Sequence, residues 1–234
     1  PNGPGGNATP QKGHWYKRLS VQQGPRYTVR AGESLYIRAD HLQIGGEQFT
    51  DAEKKKIEQV KRFGISRWFL SYIESQRDVD EFLELIGKHE EVFLKIESVK
   101  GLKYVAHEFK KRDNLRLVAA KGDLYVEVAR PHDILKAQKL MIEKDPEALA
   151  ASRMMLSVIK KVPEIITEKD GRRWVRMKPA AHEVPSNADF EQLAWLYDIG
   201  YRSFMLCDEL CLQVDMLRTA VSAVDGFRRS YAQA

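Results

Sequence analysis

The chain has 234 residues, of which 43% are apolar, 9% aromatic and 30% charged: enough apolar material for a sizeable core, and too much for a generally disordered chain. Its mean hydropathy is −0.46, and no uncharged apolar run nears the roughly 20 residues of a spanning helix, which excludes a helical membrane protein. The formal charge of +5 comes from brief basic clusters (Lys54-Lys55-Lys56, Lys110-Lys111-Arg112, Lys160-Lys161) beside acids and without interleaved aromatics, so they read as solvated helix faces and not as a nucleic-acid surface.

Residues 1–14, rich in Gly and Pro, read as a flexible arm without the apolar stretch of a secretory signal. Residues 15–49 read as a β-rich segment, with Tyr27–Arg30 and Leu35–Arg38 forming a hairpin around Ala31-Gly32-Glu33-Ser34. At Thr50 the pattern changes. Thr50-Asp51-Ala52-Glu53 is a capping box, followed by Ile57, Val60 and Phe63 at helical spacing. The apolar run Trp68–Ile73 predicts a strand, and a helix capped near Ser75 follows, with Val79, Phe82, Leu83 and Ile86 on one stripe. The alternation continues with strands over Val92–Glu97, Leu115–Ala120, Ala148–Met155 and Ser203–Leu206. Between and after them lie helices over Tyr104–Phe109, His132–Lys144, Phe190–Tyr197 and Val214–Tyr231.

Most of these units recur about every 25 residues, the spacing of βα repeats in a parallel sheet. Residues 158–184 interrupt the series and read as an inserted β-hairpin turning at Asp170-Gly171. The expected fold is therefore α/β, with a (β/α) barrel domain of the TIM type over 50–234. About five βα units fall short of the eight strands that close such a barrel. It is partial, irregularly completed by the N-terminal strands, or completed by another chain or a second copy.

In such folds ligands sit at the carboxyl ends of the strands. Two successive predicted strands end Lys-x-acid: Lys95-Ile96-Glu97 and Lys121-Gly122-Asp123. Side chains alternate along a strand, so each lysine is expected to share a face with its acid. Neighbouring strands would bring two carboxylates and two ammonium groups together, a set suited to Mg²⁺ or Mn²⁺ and to an oxyanion whose charge grows in the transition state. The bland alternative is a rim of ion pairs. Cys207 and Cys211 are too few for a disulfide framework and predict buried, reduced thiols in a cytoplasmic compartment. The histidines show no metal-ligand spacing, and Met154-Met155 and Trp68-Phe69 read as core.

Lys95-Ile96-Glu97-Ser98, Ala120-Lys121-Gly122-Asp123-Leu124, Ala137–Ile142, Met154–Ser157 and Met205-Leu206 resemble the pyruvate kinase family, in order and at similar spacing, within a likeness that covers about residues 30–225. The resemblance implies Lys95 for charge stabilisation, Glu97 and Asp123 for the divalent metal, and backbone around Lys121-Gly122-Asp123 for the substrate carboxylate. Ser152 stands where the family supplies a substrate-binding Thr hydroxyl. Lys121 replaces an Arg, Tyr125 a Gly, and Cys207-Asp208-Glu209 a Ser-Gly-Glu turn. The first three barrel strands, with their nucleotide and potassium motif, have no counterpart.

A derived member of the phosphoenolpyruvate/pyruvate barrel group is thus expected. It would bind a small oxo-acid or phosphorylated oxo-acid and act in phosphoryl transfer or enolate chemistry. The alternatives are a non-catalytic regulatory or scaffolding descendant and a metal-dependent oxo-acid lyase.

Overall fold

In the computed structural model, which describes residues 48–168, 171–181 and 184–231, capping side chains set half of the helix starts. Helix α1 (Asp51–Lys61) opens on the expected capping box, Thr50 with Glu53. After strand β1 (Arg67–Leu70), α2 (Gln76–Ile86) opens on a second box, Ser75 with Asp78. The chain continues through β2 (Glu91–Ile96), α3 (Val99–His107), β3 (Leu115–Ala120), α4 (Lys121–Glu127), α5 (Asp133–Lys144) and β4 (Leu149–Ala151). A 3₁₀ turn at Leu156–Val158 leads into β5 (Ile159–Thr167) and β6 (Arg173–Ala181). Helix α6 (Asn187–Asp198), capped by Ser186 and Asp189, precedes β7 (Ser203–Met205), α7 (Asp208–Cys211) and α8 (Val214–Ser230).

The chain separates into two units, Pro1–Gly46 and Glu47–Ala234, and the described residues belong to the second. The expected arm and the Tyr27–Arg38 hairpin lie outside the described residues.

Five strands form one parallel sheet in the order β1-β2-β3-β4-β7, while β5 and β6 form the antiparallel pair expected of the insertion. Crossovers between parallel strands are right-handed in nearly all proteins, so a sequential order sends every connecting helix to the same face. The burial agrees. On β2, Val92, Leu94 and Ile96 are 0% exposed, while Glu91, Phe93 and Lys95 on the opposite face are only half-buried. The covered face packs on the α2 stripe of Val79, Phe82, Leu83 and Ile86, all buried. Each such apolar side chain contributes about 1.5–3 kcal/mol on burial.

Phe69 belongs to the opposite face. It is 50% exposed and stacks on Phe93 at 4.7 Å, so it is not the core residue its apolar neighbours suggested, whereas Trp68 is buried. Cys211 likewise departs from expectation: it is exposed on α7, and Cys207 is half-buried. Among the described residues no helix is long and apolar enough to cross a membrane.

Two contacts anchor the ends of the sheet. Asp145, fully buried at the foot of β3, accepts from the Leu117 N–H at 2.7 Å and pairs with Lys111 at 2.7 Å. Near the other end, Gly101 of α3 lies so close to the loop after β1 that a Cβ there would stand 2.5 Å from the Ile73 carbonyl oxygen.

Candidate functional site

Strands β2 and β3 are neighbours, pairing Lys95 with Val118 and Ile96 with Ala119. Glu97 directly follows the last residue of β2, and its charged end meets that of Lys95 as expected: Lys95 Nζ lies 2.7 Å from Glu97 Oε1. Glu97 is 1% exposed. Its second oxygen, Oε2, accepts from the Tyr72 backbone N–H at 2.8 Å, and Lys95 also donates to Ser71 Oγ at 3.2 Å. The pair thus ties the end of β2 to the loop after β1. A buried carboxylate needs such partners, because desolvation of an isolated charge costs several kcal/mol.

The second Lys-x-acid segment is built differently. Strand β3 ends at Ala120, and Lys121 opens α4, a helix with no side-chain cap. Residues two apart on a helix point to different sides. Lys121 is accordingly buried at 7% exposure while Asp123 is exposed, so these two do not share a face as strand alternation had suggested. Asp123 stays on the rim, with no ion pair or hydrogen bond among the described residues. Gly122 lies against the turn after β4, where a Cβ would stand 3.3 Å from Ser152 Cβ.

Backbone geometry marks the same rim. Among the described residues, the non-glycine positions with left-handed backbone are Tyr72 (φ 54°), Ser152 (φ 66°), Arg153 (φ 56°) and Met155 (φ 55°). All four follow the carboxyl end of a strand, β1 or β4. Each costs about 1–2 kcal/mol relative to a right-handed residue, and such strain gathers at functional sites. These positive φ values also end β4 at Ala151, where the apolar pattern had extended the strand to Met155.

Tyr72 links the two acids. Its ring is about half exposed, and its phenol is held above the ordinary tyrosine range by burial first, then by the negative charges of Asp123 and Glu97. Glu97 and Asp123 therefore both act electrostatically at one hydroxyl. Lys95, Glu97, Asp123, Gly122 and Ser152 all lie at the carboxyl end of the sheet. Lys121 departs from them. Its ammonium donates to Met154 Sδ at 3.3 Å, and burial, with the Arg153 charge second, lowers its pKa to about 8.

Tyr72 and Arg153 were not marked by the sequence pattern. Tyr72 sits inside an apolar run that reads as strand, and Arg153 in a segment that also reads as strand. A left-handed conformation at either leaves no signal in residue type, since neither is glycine. Among the described residues no three His, Cys, Asp or Glu side chains converge as a larger metal centre requires. No protein-family model matches the chain, and no curated protein matches it.

Proposed function

We propose that the sheet is the arc of a (β/α) barrel derived from the pyruvate kinase group, and that its rim binds a small oxo-acid or phosphorylated oxo-acid together with Mg²⁺ or Mn²⁺. A sequential, all-parallel strand order is the order such barrels repeat, which supports the first part. The observation that carries the second is the buried Glu97 carboxylate, 2.7 Å from the Lys95 ammonium, at the same strand ends as Asp123, which has no partner among the described residues.

The donor set suits the cation. Glu97 and Asp123 are hard oxygen ligands: Asp123 is exposed and leaves room for water and chelating oxygens, whereas Glu97 is buried and would have to release Lys95 or the Tyr72 N–H to reach the ion. When bound, the metal would supply positive charge beside a developing oxyanion. The chain's own groups do the rest. Lys95 is held in position by Glu97 and Ser71 and donates from Nζ to an enolate or phosphoryl oxygen. Ser152 carries a half-buried hydroxyl with no partner among the described residues, positioned to orient a proton or water. Backbone N–H groups of the uncapped first turn of α4, around Gly122, face the substrate carboxylate.

Thermal melting tests the reading. Mn²⁺ or Mg²⁺ with oxalate or pyruvate should raise the midpoint, since ligand bound only to the native state stabilises it. The double change Glu97→Gln, Asp123→Asn should abolish the rise. If no combination raises the midpoint, the site reading fails. One observation favours a second reading, a non-catalytic descendant: both oxygens of Glu97 already accept bonds from within the protein. Where binding occurs, a nucleotide-dependent phosphotransfer assay set against an aldol-cleavage assay separates kinase-like from lyase-like chemistry.

A further inference from the structure

Lys121 opens onto a cavity of about 560 Å³ that contains none of the rim residues Lys95, Glu97, Asp123 or Ser152. Helices α4, α5 and α6 and the turn after β4 enclose it. Its walls are apolar at Ile134, Leu135, Trp195 and Leu196, with amide groups at Gln138 and Gln192. Its charged lining is two cations, Lys121 and Arg153, and one carboxylate, Glu191.

Neither cation has a carboxylate partner among the described residues. Lys121 is 7% exposed, and its one hydrogen bond goes to a thioether, a weak acceptor. Arg153, in its left-handed turn, has its guanidinium carbon 6.0 Å from the centre of the Tyr125 ring. The nearby acids, Asp189 and Glu191, form no ion pair with either cation among the described residues, although the Asp189 charge partly offsets the cost of burying Lys121. Asp189 accepts from Ser157 and Ser186, and Glu191 accepts from Asn187 at 2.6 Å. Burying an ammonium without a counter-charge is costly, and a bound anion removes that cost.

We propose that this cavity is a second ligand site, for a small organic carboxylate with an apolar body. Lys121 Nζ and the Arg153 guanidinium take the carboxylate, and Trp195, Ile134, Leu135 and Leu196 enclose the body. The volume falls within the roughly 300–1,000 Å³ of small-molecule sites. Ser152 and Arg153 are consecutive, so the end of β4 presents one residue to the rim and the next to the cavity.

Calorimetric titration of the full chain with benzoate, and with benzyl alcohol as its uncharged counterpart, tests the assignment. Benzoate should bind saturably at neutral pH and at least about tenfold more tightly than the alcohol, a difference easily resolved. Lys121→Met and Arg153→Gln should each lose that preference, while Glu97→Gln retains it and so separates this site from the rim. Lys121→Met removes a buried charge; should it fail to fold, the exposed Arg153→Gln carries the same test alone. No saturable benzoate binding by the wild type, or a preference unchanged in Lys121→Met or in Arg153→Gln, overturns the proposal.

Discussion

Glu97 accepts from Lys95 through one oxygen and from the backbone of Tyr72 through the other, so a single buried carboxylate holds a side chain of the strand it follows and a left-handed loop of the neighbouring one. Removing the ammonium leaves that carboxylate buried with one partner. Loss of one member of a buried pair costs about 3–5 kcal/mol, and Lys95→Met should fall at the low end because Lys95 is itself partly exposed. Adding Glu97→Gln should recover much of the loss. Urea denaturation of the two singles and the double measures the coupling, and strict additivity would show that the pair does not act as a unit.

The strained turn after β4 should separate stability from binding. Ser152→Gly relieves a left-handed serine but adds backbone freedom to the unfolded chain, so its stability should stay within about 1 kcal/mol of wild type. The midpoint rise produced by Mn²⁺ and oxalate should shrink, since the hydroxyl is gone. A large loss of stability with an undiminished ligand response would assign Ser152 to packing alone.

Gly101→Ala should run against helix propensity. Alanine is the better helix former, yet here its Cβ would press on the Ile73 carbonyl at 2.5 Å, and backbone cannot yield as a side-chain tip can. Overpacking of this kind costs about 1–3 kcal/mol, and the loss should appear as a lower melting midpoint.

Lys121 gives a pH signature. Its folded pKa of about 8 lies below the ordinary value of 10.5, so between these limits the unfolded chain holds more protons than the native one. Stability from this group therefore rises with pH across that window and is smallest below pH 8. Lys121→Met should be the more stable protein at pH 7, by up to about 3 kcal/mol, and the advantage should fade by pH 10.5. Tyr104 and Tyr201 act oppositely, because burial raises both phenols and favours unfolding above pH 10. Denaturation of wild type and variant across pH 7–10.5 isolates the Lys121 contribution as their difference.

Asp145→Asn serves as a control at the far end of the sheet. It removes the charge from a fully buried cluster with Lys111 and should cost stability of order 3 kcal/mol. The fold change in ligand affinity at either site should be negligible. A loss of binding that tracks this loss of stability would assign the rim effects above to general loosening.

Much of the architecture was legible because period and capping are local. The Thr50 and Ser75 caps, the α2 stripe and the β3 boundaries follow from side chains within a few residues of one another. The Lys95–Glu97 pair was legible for the same reason, since the two are neighbours at the end of β2. Asp123 and Lys121 were not separable in that way. Their relation depends on whether Lys-Gly-Asp continues a strand or starts a helix, and Lys121-Gly122-Asp123 carries no capping side chain to decide it. Tyr72 and Arg153 depend on backbone conformations imposed by tertiary structure, and the cavity at Lys121 depends on three helices meeting.

The strand order has a consequence for how the molecule is made. Each strand from β1 to β4 adds to the edge left by the one before it, so the sheet can lengthen as the chain leaves the ribosome. Pairings between near neighbours in the chain close small loops, and small loops close quickly. The β5–β6 hairpin breaks that rhythm: it pairs only with itself, and β7 must reach β4 across it. The β4–β7 pairing spans the longest stretch of chain in the sheet, so shortening the hairpin should quicken refolding more than it alters the finished sheet.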